Sequence, residues 1–327
     1  MTRPYVFITR KLSDNAIQPL MEVADVHIWN EEEKAVPREI LLEEVKKADA
    51  LLTMLSDKVD KELLDAAPKL KVIANLAVGY DNIDVEYANQ KGIAICNTPD
   101  VLTDTTADLA FALLLSTARR VVEAAEFIKK GEWKSWSPLL LAGSDIHHKT
   151  IGIVGMGKIG EAVAKRATGF DMNILYHNRS RNVVAEERIG ASYTSFDELI
   201  ETSDFIVCLT PLTDETRGLF SKESFMKMKN SAVFINVSRG PVVDEDALYQ
   251  ALVTGEIAAA GLDVFEKEPV DADHPLLTLP NVVALPHIGS SSTETREKMM
   301  KLCCENIELV LINQQPKTLV NKEWVFQ

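Results

Sequence analysis

The sequence predicts an α/β protein made of two doubly wound parallel-sheet domains with a cleft between them. Three observations carry the prediction. Short apolar runs of strand length recur along the chain, helix-length stretches separate them, and the alternation occurs twice, on either side of an irregular segment at 133–149. Apolar runs that alternate with helices belong to parallel sheets covered on both faces. At 327 residues the chain also exceeds one ordinary core.

The first series places strands at 5–9, 26–29, 50–54, 72–76 and 93–96, with helical patterns at 37–47 and 61–67 between them. A single long helix is expected over 105–130, with Leu109, Ala112 and Leu113 on its buried side. The segment 133–149 then carries Trp133, Trp136, a proline, a glycine and the pair His147-His148. It reads either as an arm that meets another subunit or as a loop whose tryptophans pack back on their own domain. The second series has strands at 151–154, 174–177, 205–209, 233–237, 260–264 and 282–285. Helices follow at 159–168, 196–201, 222–228, 245–254 and 293–311. The Gly-Ser-Ser-Ser stretch at 289–292 reads as a crossing that returns the last helix to the first domain. The expected domains are therefore 1–100 plus 291–327, binding substrate, and 101–290, binding a dinucleotide.

Composition narrows the function classes. The hydrophobic fraction of 46% is that of a packed protein. A formal charge of −14 repels phosphate backbones, so nucleic acid is not an expected partner. The longest apolar runs, such as 109–115, fall far short of the ~20 residues that span a bilayer. The start, 1–12, has no signal-peptide pattern. Cys96, Cys208, Cys303 and Cys304 lack ligand spacing and read as buried, reduced thiols of a cytoplasmic protein. No metal site is expected.

The string Gly155-Met-Gly157-Lys158-Ile159-Gly160 joins an apolar strand to a helix. Alone it is a weak signal, but in that context its glycines allow a tight turn and a close approach to pyrophosphate at a helix N-terminus. Such a Rossmann-like site has an acidic residue at the end of its second strand when it selects NADH. Here that position reads Asn178-Arg179-Ser180-Arg181, with no carboxylate to repel a 2′-phosphate. Arg179 can pair with that phosphate, and Asn178 and Ser180 can donate to it. NADPH is therefore the expected cofactor, with NADH usable. The plainer reading makes Arg179 and Arg181 solvated surface cations.

Arg239, Glu268 and His287 stand just past the ends of three strands of the second series, on the edge where open parallel sheets bind ligands. Each has a bland reading: a surface ion pair, a turn carboxylate, a hydrogen-bonded loop histidine. Together they match what reduction of a 2-oxo acid needs. An arginine fork fixes the carboxylate and polarises the ketone. A histidine gives the proton, and a carboxylate behind it orients the ring and favours its charged form. Reduction should then decline as pH rises and the histidine loses its proton.

These strings, with Asn75-Leu-Ala-Val-Gly-Tyr-Asp-Asn-Ile-Asp84, Thr106-Ala-Asp-Leu-Ala110 and Pro211-Leu-Thr213, resemble the D-isomer-specific 2-hydroxyacid dehydrogenases over nearly the whole chain. Within that family the glyoxylate/hydroxypyruvate reductases, some of which also reduce 2-ketogluconate, are the nearest pattern. The resemblance implies Rossmann-like and flavodoxin-like domains. It implies Arg239 as substrate anchor, His287 as acid/base and Glu268, directly before Pro269, as its partner in preference to Glu266. It implies main-chain N–H groups of Val78 and Gly79 on the substrate carboxylate, with Leu55 and Ser56 lining the pocket. Asp263 would hold the nicotinamide carboxamide, with Thr106 and Gly289 beside it. Thr210, Pro211, Val237 and Ser238 complete the expected cofactor contacts. A homodimer is implied, its 133–141 arm bordering the partner's active site. Leu140 stands where one relative pattern has a third tryptophan; if that position contacts substrate, the smaller side chain here would admit longer acids. Two competing functions stay open: 3-phosphoglycerate dehydrogenase, for which no cation cluster is evident, and a dinucleotide-sensing co-repressor-like scaffold.

Overall fold

The computed structural model describes residues 3–323. Met1, Thr2 and 324–327, the ends of the segments expected to form the first domain, lie outside the described residues. The chain divides into two compact units, one running to Leu102 and resuming at Ser291, the other Thr103–Ser290.

The first unit holds β1 (Tyr5–Ile8), β2 (Asp25–Ile28), β3 (Ala50–Thr53), β4 (Val72–Asn75) and β5 (Ala94–Cys96). They form an all-parallel sheet in the order β2-β1-β3-β4-β5. Every residue of β3 and β4 is buried, as strands covered on both faces require, whereas β2 at the edge alternates with solvent. Leu41, Val45, Leu63 and Leu64 pack with Leu51, Ile73 and Ile95 in one core cluster. The helix Thr293–Leu311 packs against β3, β4, β5 and the helix Asp14–Val23. The chain beyond it is tied to β5: the Val320 N–H donates to Ile95 O (2.7 Å), and the Ile95 N–H donates to Asn321 Oδ1 (2.8 Å).

The second unit holds β6 (Thr150–Val154), β7 (Asn173–His177), β8 (Ser192–Tyr193), β9 (Phe205–Cys208), β10 (Val233–Asn236), β11 (Ala259–Leu262) and β12 (Val282–Ala284). Their order is β12-β11-β10-β9-β6-β7-β8, again all parallel. Two core clusters fill this unit. One is built on Phe111, Leu113, Ile151, Ile153 and Phe205, the other on Leu199, Phe220, Phe225, Phe234 and Leu248. In an open parallel sheet, ligands bind beyond the carboxyl ends of the strands where the order reverses. That place is the β6/β9 pair in this unit and the β1/β3 pair in the first.

The structure corrects the sequence expectation at 105–130, which is two helices, Thr103–Ala118 and Val121–Lys129. Arg120 breaks them with a left-handed φ of 53° and turns its guanidinium onto Glu123 (2.8 and 2.7 Å). The returning chain closes the first helix: Ser144 N donates to Ala118 O at 2.9 Å. The second sheet also has one strand more than the sequence announced. β8 is two exposed residues long and has no apolar run to mark it. The helix Asp14–Val23 contains Pro19, which reads in a sequence as a break.

Trp133 and Trp136 are 56% and 79% exposed, so the reading in which they pack back on their own domain does not hold. All four cysteines are free and buried. Burial pushes the Cys96 and Cys304 thiols up to about 12 and that of Cys208 to about 11. No helix among the described residues is long and apolar enough to cross a membrane.

Candidate active site

The glycine turn sits at the switch point of the second sheet. Gly155 follows β6 with φ +106°, a backbone only glycine adopts readily, and its N–H donates to His177 O (2.9 Å). A Cβ on Gly155 would lie 2.7 Å from the Leu209 carbonyl carbon, past the end of β9. A Cβ on Gly160 would lie 2.2 Å from Gly155 O, so the helix Lys158–Thr168 approaches the strand as only glycine permits. Gly157 differs: a Cβ there would meet nothing within 4 Å. It is the N-cap of the helix and makes no side-chain cap hydrogen bond, at a helix N-terminus of the kind that binds phosphate. Turn, opening and close packing are what a dinucleotide pyrophosphate requires, so these residues fit the cofactor.

At the end of β7, Asn178 is half-buried, while Arg179 and Ser180 are exposed. Arg181 is engaged: its guanidinium pairs with Glu186 at 2.9 and 2.6 Å. That pairing and the Tyr176 hydroxyl hold the Glu186 carboxyl at about 2. Arg179 has no hydrogen bond or ion pair among the described residues, and Glu215 is the carboxylate that feels its charge. Of the two arginines, only Arg179 is left to meet an anion.

The three reacting candidates belong to one unit and to adjacent strands. β10, β11 and β12 pair in register, Asn236 with Leu262 and Leu262 with Ala284. Arg239, Glu268 and His287 follow these three strands at the same edge of the sheet. His287 Nδ1 lies 2.7 Å from Glu268 Oε2, and Glu268 Oε1 accepts the Phe265 N–H (2.9 Å). Burial pushes the Glu268 carboxyl up. The hydrogen bond and charge of His287, the Phe265 N–H and the charge of Arg239 outweigh it and hold the carboxyl below its ordinary value. An ionised carboxylate only accepts, so Nδ1 carries the hydrogen and Nε2 is the ring nitrogen left for chemistry. His287 has a left-handed φ of 54°, uncommon for a residue with a side chain. Asp263 holds it there, accepting the His287 N–H with its carbonyl (2.8 Å) and the Ile288 N–H with Oδ1 (2.7 Å).

Asp263 is buried, and that burial raises its carboxyl more than the Ile288 and Gly289 N–H groups and the charge of His287 lower it. A Cβ on Gly289 would meet Asp263 Oδ2 at 3.2 Å and Thr106 Cγ2 at 3.5 Å, so Asp263, Thr106 and Gly289 share one corner. Val237 and Ser238 are buried, and the Ser238 N–H and hydroxyl both donate to Asn236 Oδ1 (3.0 and 2.9 Å). Arg239 Nη1 donates to Ser238 O at 2.8 Å. Thr210 is half-buried and Pro211 exposed past β9.

In the first unit, side-chain amides fix the turn after β4. Asn97 Nδ2 donates to Val78 O (2.8 Å) and Asn75 Nδ2 to Gly79 O (3.0 Å). The N–H groups of Val78 and Gly79 have no partner among the described residues. Leu55 is half-buried and Ser56 exposed on the loop after β3, where Ser56 Oγ accepts from Arg10 Nη2 (3.0 Å).

Sequence reasoning missed the residues that shape the site from behind. Gly240 is one: a Cβ there would fall 1.8 Å from the Phe265 carbonyl carbon, so the Arg239 turn rests on the loop that carries Glu268. Glu245 is another, accepting the Glu266 N–H (2.7 Å) and pairing with His274 Nε2 (3.2 Å). The Arg-Gly dipeptide at 239–240 is the one sequence signal that could have pointed to the first. Nothing local marks the second.

The family model described as D-isomer specific 2-hydroxyacid dehydrogenase, NAD binding domain, matches residues 111–289. A glyoxylate reductase of Thermococcus kodakarensis is 51% identical over 327 residues, covering 99% of this chain and 98% of its own. A crystal structure of a Thermus thermophilus protein superposes with a TM-score of 0.91 at 42% identity, covering 97% of this chain and 99% of that one. An NADPH-dependent glyoxylate/hydroxypyruvate reductase from Sinorhizobium meliloti, solved with NADP and malonate, superposes with a TM-score of 0.85 at 33% identity, covering 100% and 99%. By the family model over residues 111–289 and the full-length relatives, this chain belongs to the D-isomer specific 2-hydroxyacid dehydrogenase family.

Proposed function

We propose that this chain reduces a small 2-oxo acid to the D-2-hydroxy acid, acting on glyoxylate, hydroxypyruvate or 2-ketogluconate, with NADPH preferred over NADH. The observation that carries the reading is the 2.7 Å contact between His287 Nδ1 and Glu268, on the strand edge that also presents Arg239 and the glycine turn. The names of the full-length relatives support the same substrate class.

The Val78 and Gly79 N–H groups are donors suited to a carboxylate. The Arg239 fork pairs with an acid and draws electron density toward a ketone oxygen. When bound, the dinucleotide supplies the hydride. His287 Nε2 delivers the proton to the oxygen, while Glu268 on Nδ1 keeps the ring in one orientation and stabilises its charge. Asp263, with Thr106 and Gly289, positions the carboxamide. Gly157, Lys158 and Ile159 hold the pyrophosphate, and Arg179, Asn178 and Ser180 the 2′-phosphate.

The chain is also proposed to act as a cytoplasmic homodimer. Four free buried thiols fit a reducing compartment. Trp133, Trp136 and Leu139, with Val121, Val122 and Ile128 on a helix that buries no residue, form an exposed apolar set that a second copy would cover. The test is NADPH oxidation with glyoxylate, hydroxypyruvate, 2-ketogluconate and 3-phosphohydroxypyruvate. Turnover of the first three at higher kcat/KM than the fourth is expected. Tight dinucleotide binding without turnover would instead favour the scaffold reading.

A further inference from the structure

Two separate contacts hold the peptide that joins Phe265 to Glu266. Gly240 lies against it, so closely that a Cβ there would fall 1.8 Å from the Phe265 carbonyl carbon and 2.2 Å from the Glu266 nitrogen. Glu245, in the first turn of the helix Glu245–Thr254, accepts the Glu266 N–H on Oε1 at 2.7 Å. One residue earlier, the Phe265 N–H donates to Glu268 Oε1 (2.9 Å), and Glu268 Oε2 meets His287 Nδ1 (2.7 Å). Only the soft dihedrals of Phe265 separate the two N–H groups, and Phe265 is buried. A shift at the Glu266 N–H is therefore passed to the bond that fixes Glu268.

Glu245 is itself held. Its Oε2 lies 3.2 Å from His274 Nε2, and the His274 ring meets the Phe265 ring edge-on at 6.0 Å. His274 Nδ1 is enclosed and has no hydrogen-bond partner, so the polar hold on this ring is the Nε2 contact. The helix does not need Glu245 as a cap, because Asp244 accepts the Ala247 N–H at 2.9 Å. Glu245 thus commits one oxygen to the loop and the other to the imidazole.

Resting on the reaction proposed above, we infer that Glu245 and His274 are positioning residues: through the Phe265–Glu266 backbone they aim Glu268 at His287. Two carboxylate–imidazole pairs then stand in series, the outer fixing a loop and the inner orienting the reacting ring. Glu268 and Asp263 bear on the charge of His287, and Arg239 on that of Glu268. A displaced Glu268 supports the charged ring less well, so reduction should decline at lower pH.

The test measures reduction by full-length Glu245→Ala across pH. We expect kcat to fall roughly 10- to 100-fold with KM within about threefold, the cost of a misplaced group, and the decline to move to lower pH. In a Glu268→Ala background the same substitution should cost less than about threefold more, since its action passes through Glu268. Glu245→Gln keeps an acceptor for the Glu266 N–H but offers His274 a donor. It should shift kcat and pH dependence the same way and less, which keeps the test open if Glu245→Ala does not fold. Proton NMR of the His287 Nδ1–H, which should weaken in both variants, needs no turnover. If no 2-oxo acid is reduced, the reading of the reaction fails while this signal still decides the role of Glu245. A folded Glu245→Ala with an unchanged His287 signal and pH dependence, or one that loses as much kcat without Glu268 as with it, overturns the inference.

Discussion

Glu268 meets His287 through Nδ1 and not Nε2, and this one contact at 2.7 Å orders the chemistry of the edge. It assigns the hydrogen to the nitrogen facing the carboxylate and leaves the opposite nitrogen for a substrate oxygen. The carboxylate is in turn fixed by the Phe265 N–H, so the pair is oriented from the loop after β11 and not from the histidine's own strand.

Replacing Glu268 with Gln removes the charge and keeps the shape. We expect kcat for reduction at neutral pH to fall by roughly 10²–10³, with KM nearly unchanged, because the loss is felt when the ring is charged. The folded carboxyl is held below its ordinary 4.5, so its contribution to stability is present above that value and disappears as pH falls through the folded one. The melting temperature of Glu268→Gln should therefore lie below wild type at neutral pH, and the two should converge near the acid end. A constant difference across that range would show that charge is not the cause.

Gly240→Ala should act on the same carboxylate from behind. Its Cβ would meet main-chain atoms of Phe265 and Glu266, which cannot rotate away. We expect a loss of about 1–3 kcal/mol in urea unfolding, with lowered kcat in the folded fraction. Wild-type stability and turnover would mean that the two backbones do not touch in solution.

The legible parts of this chain are those that local pattern determines. Short apolar runs such as 50–53 and 205–208, set between helix-length stretches, read as central parallel strands and are wholly buried, and the residue types past β10, β11 and β12 stood out because charged groups there have no packing reason. What stayed hidden depends on contacts distant in sequence. The break at Arg120 is made where Ser144 and Gly143 return to Ala118, and no residue between 105 and 130 is a helix breaker. The amide network of Asn75, Asn82 and Asn97 reads in sequence as ordinary turn polarity, yet it engages the Val78 and Gly79 carbonyls and leaves their N–H groups without a partner among the described residues. The Glu245–His274 pair behind the Glu268 loop joins residues with no shared motif.

The two arginines at the end of β7 should differ in effect although they are neighbours. Arg181 is held by Glu186, and Arg179 has no hydrogen bond or ion pair among the described residues. Arg179→Ala is expected to lower kcat/KM for NADPH by roughly 10- to 100-fold, the worth of about 1.5–3 kcal/mol in a charge-assisted hydrogen bond, and to leave NADH within about twofold. Arg181→Ala should change the cofactor ratio little. Equal effects of both substitutions on NADPH and NADH would remove the selectivity argument.

The glycines at 157 and 160 separate binding from folding. A methyl group on Gly157 points into open space, and its extended backbone suits alanine. Gly157→Ala should therefore change stability by about 1 kcal/mol or less, the scale of an N-cap change. The same methyl group occupies the space a pyrophosphate needs to reach the helix N-terminus, so NADPH affinity should fall by more than about tenfold, a loss above 1.4 kcal/mol. At Gly160 the order reverses. The added carbon strikes Gly155 O, a main-chain atom in a turn that cannot yield, and the loss should appear as about 1–3 kcal/mol of stability before any ligand is added. Urea unfolding and fluorescence titration of both variants decide it. A Gly157→Ala protein that binds NADPH as the wild type does would place the pyrophosphate elsewhere.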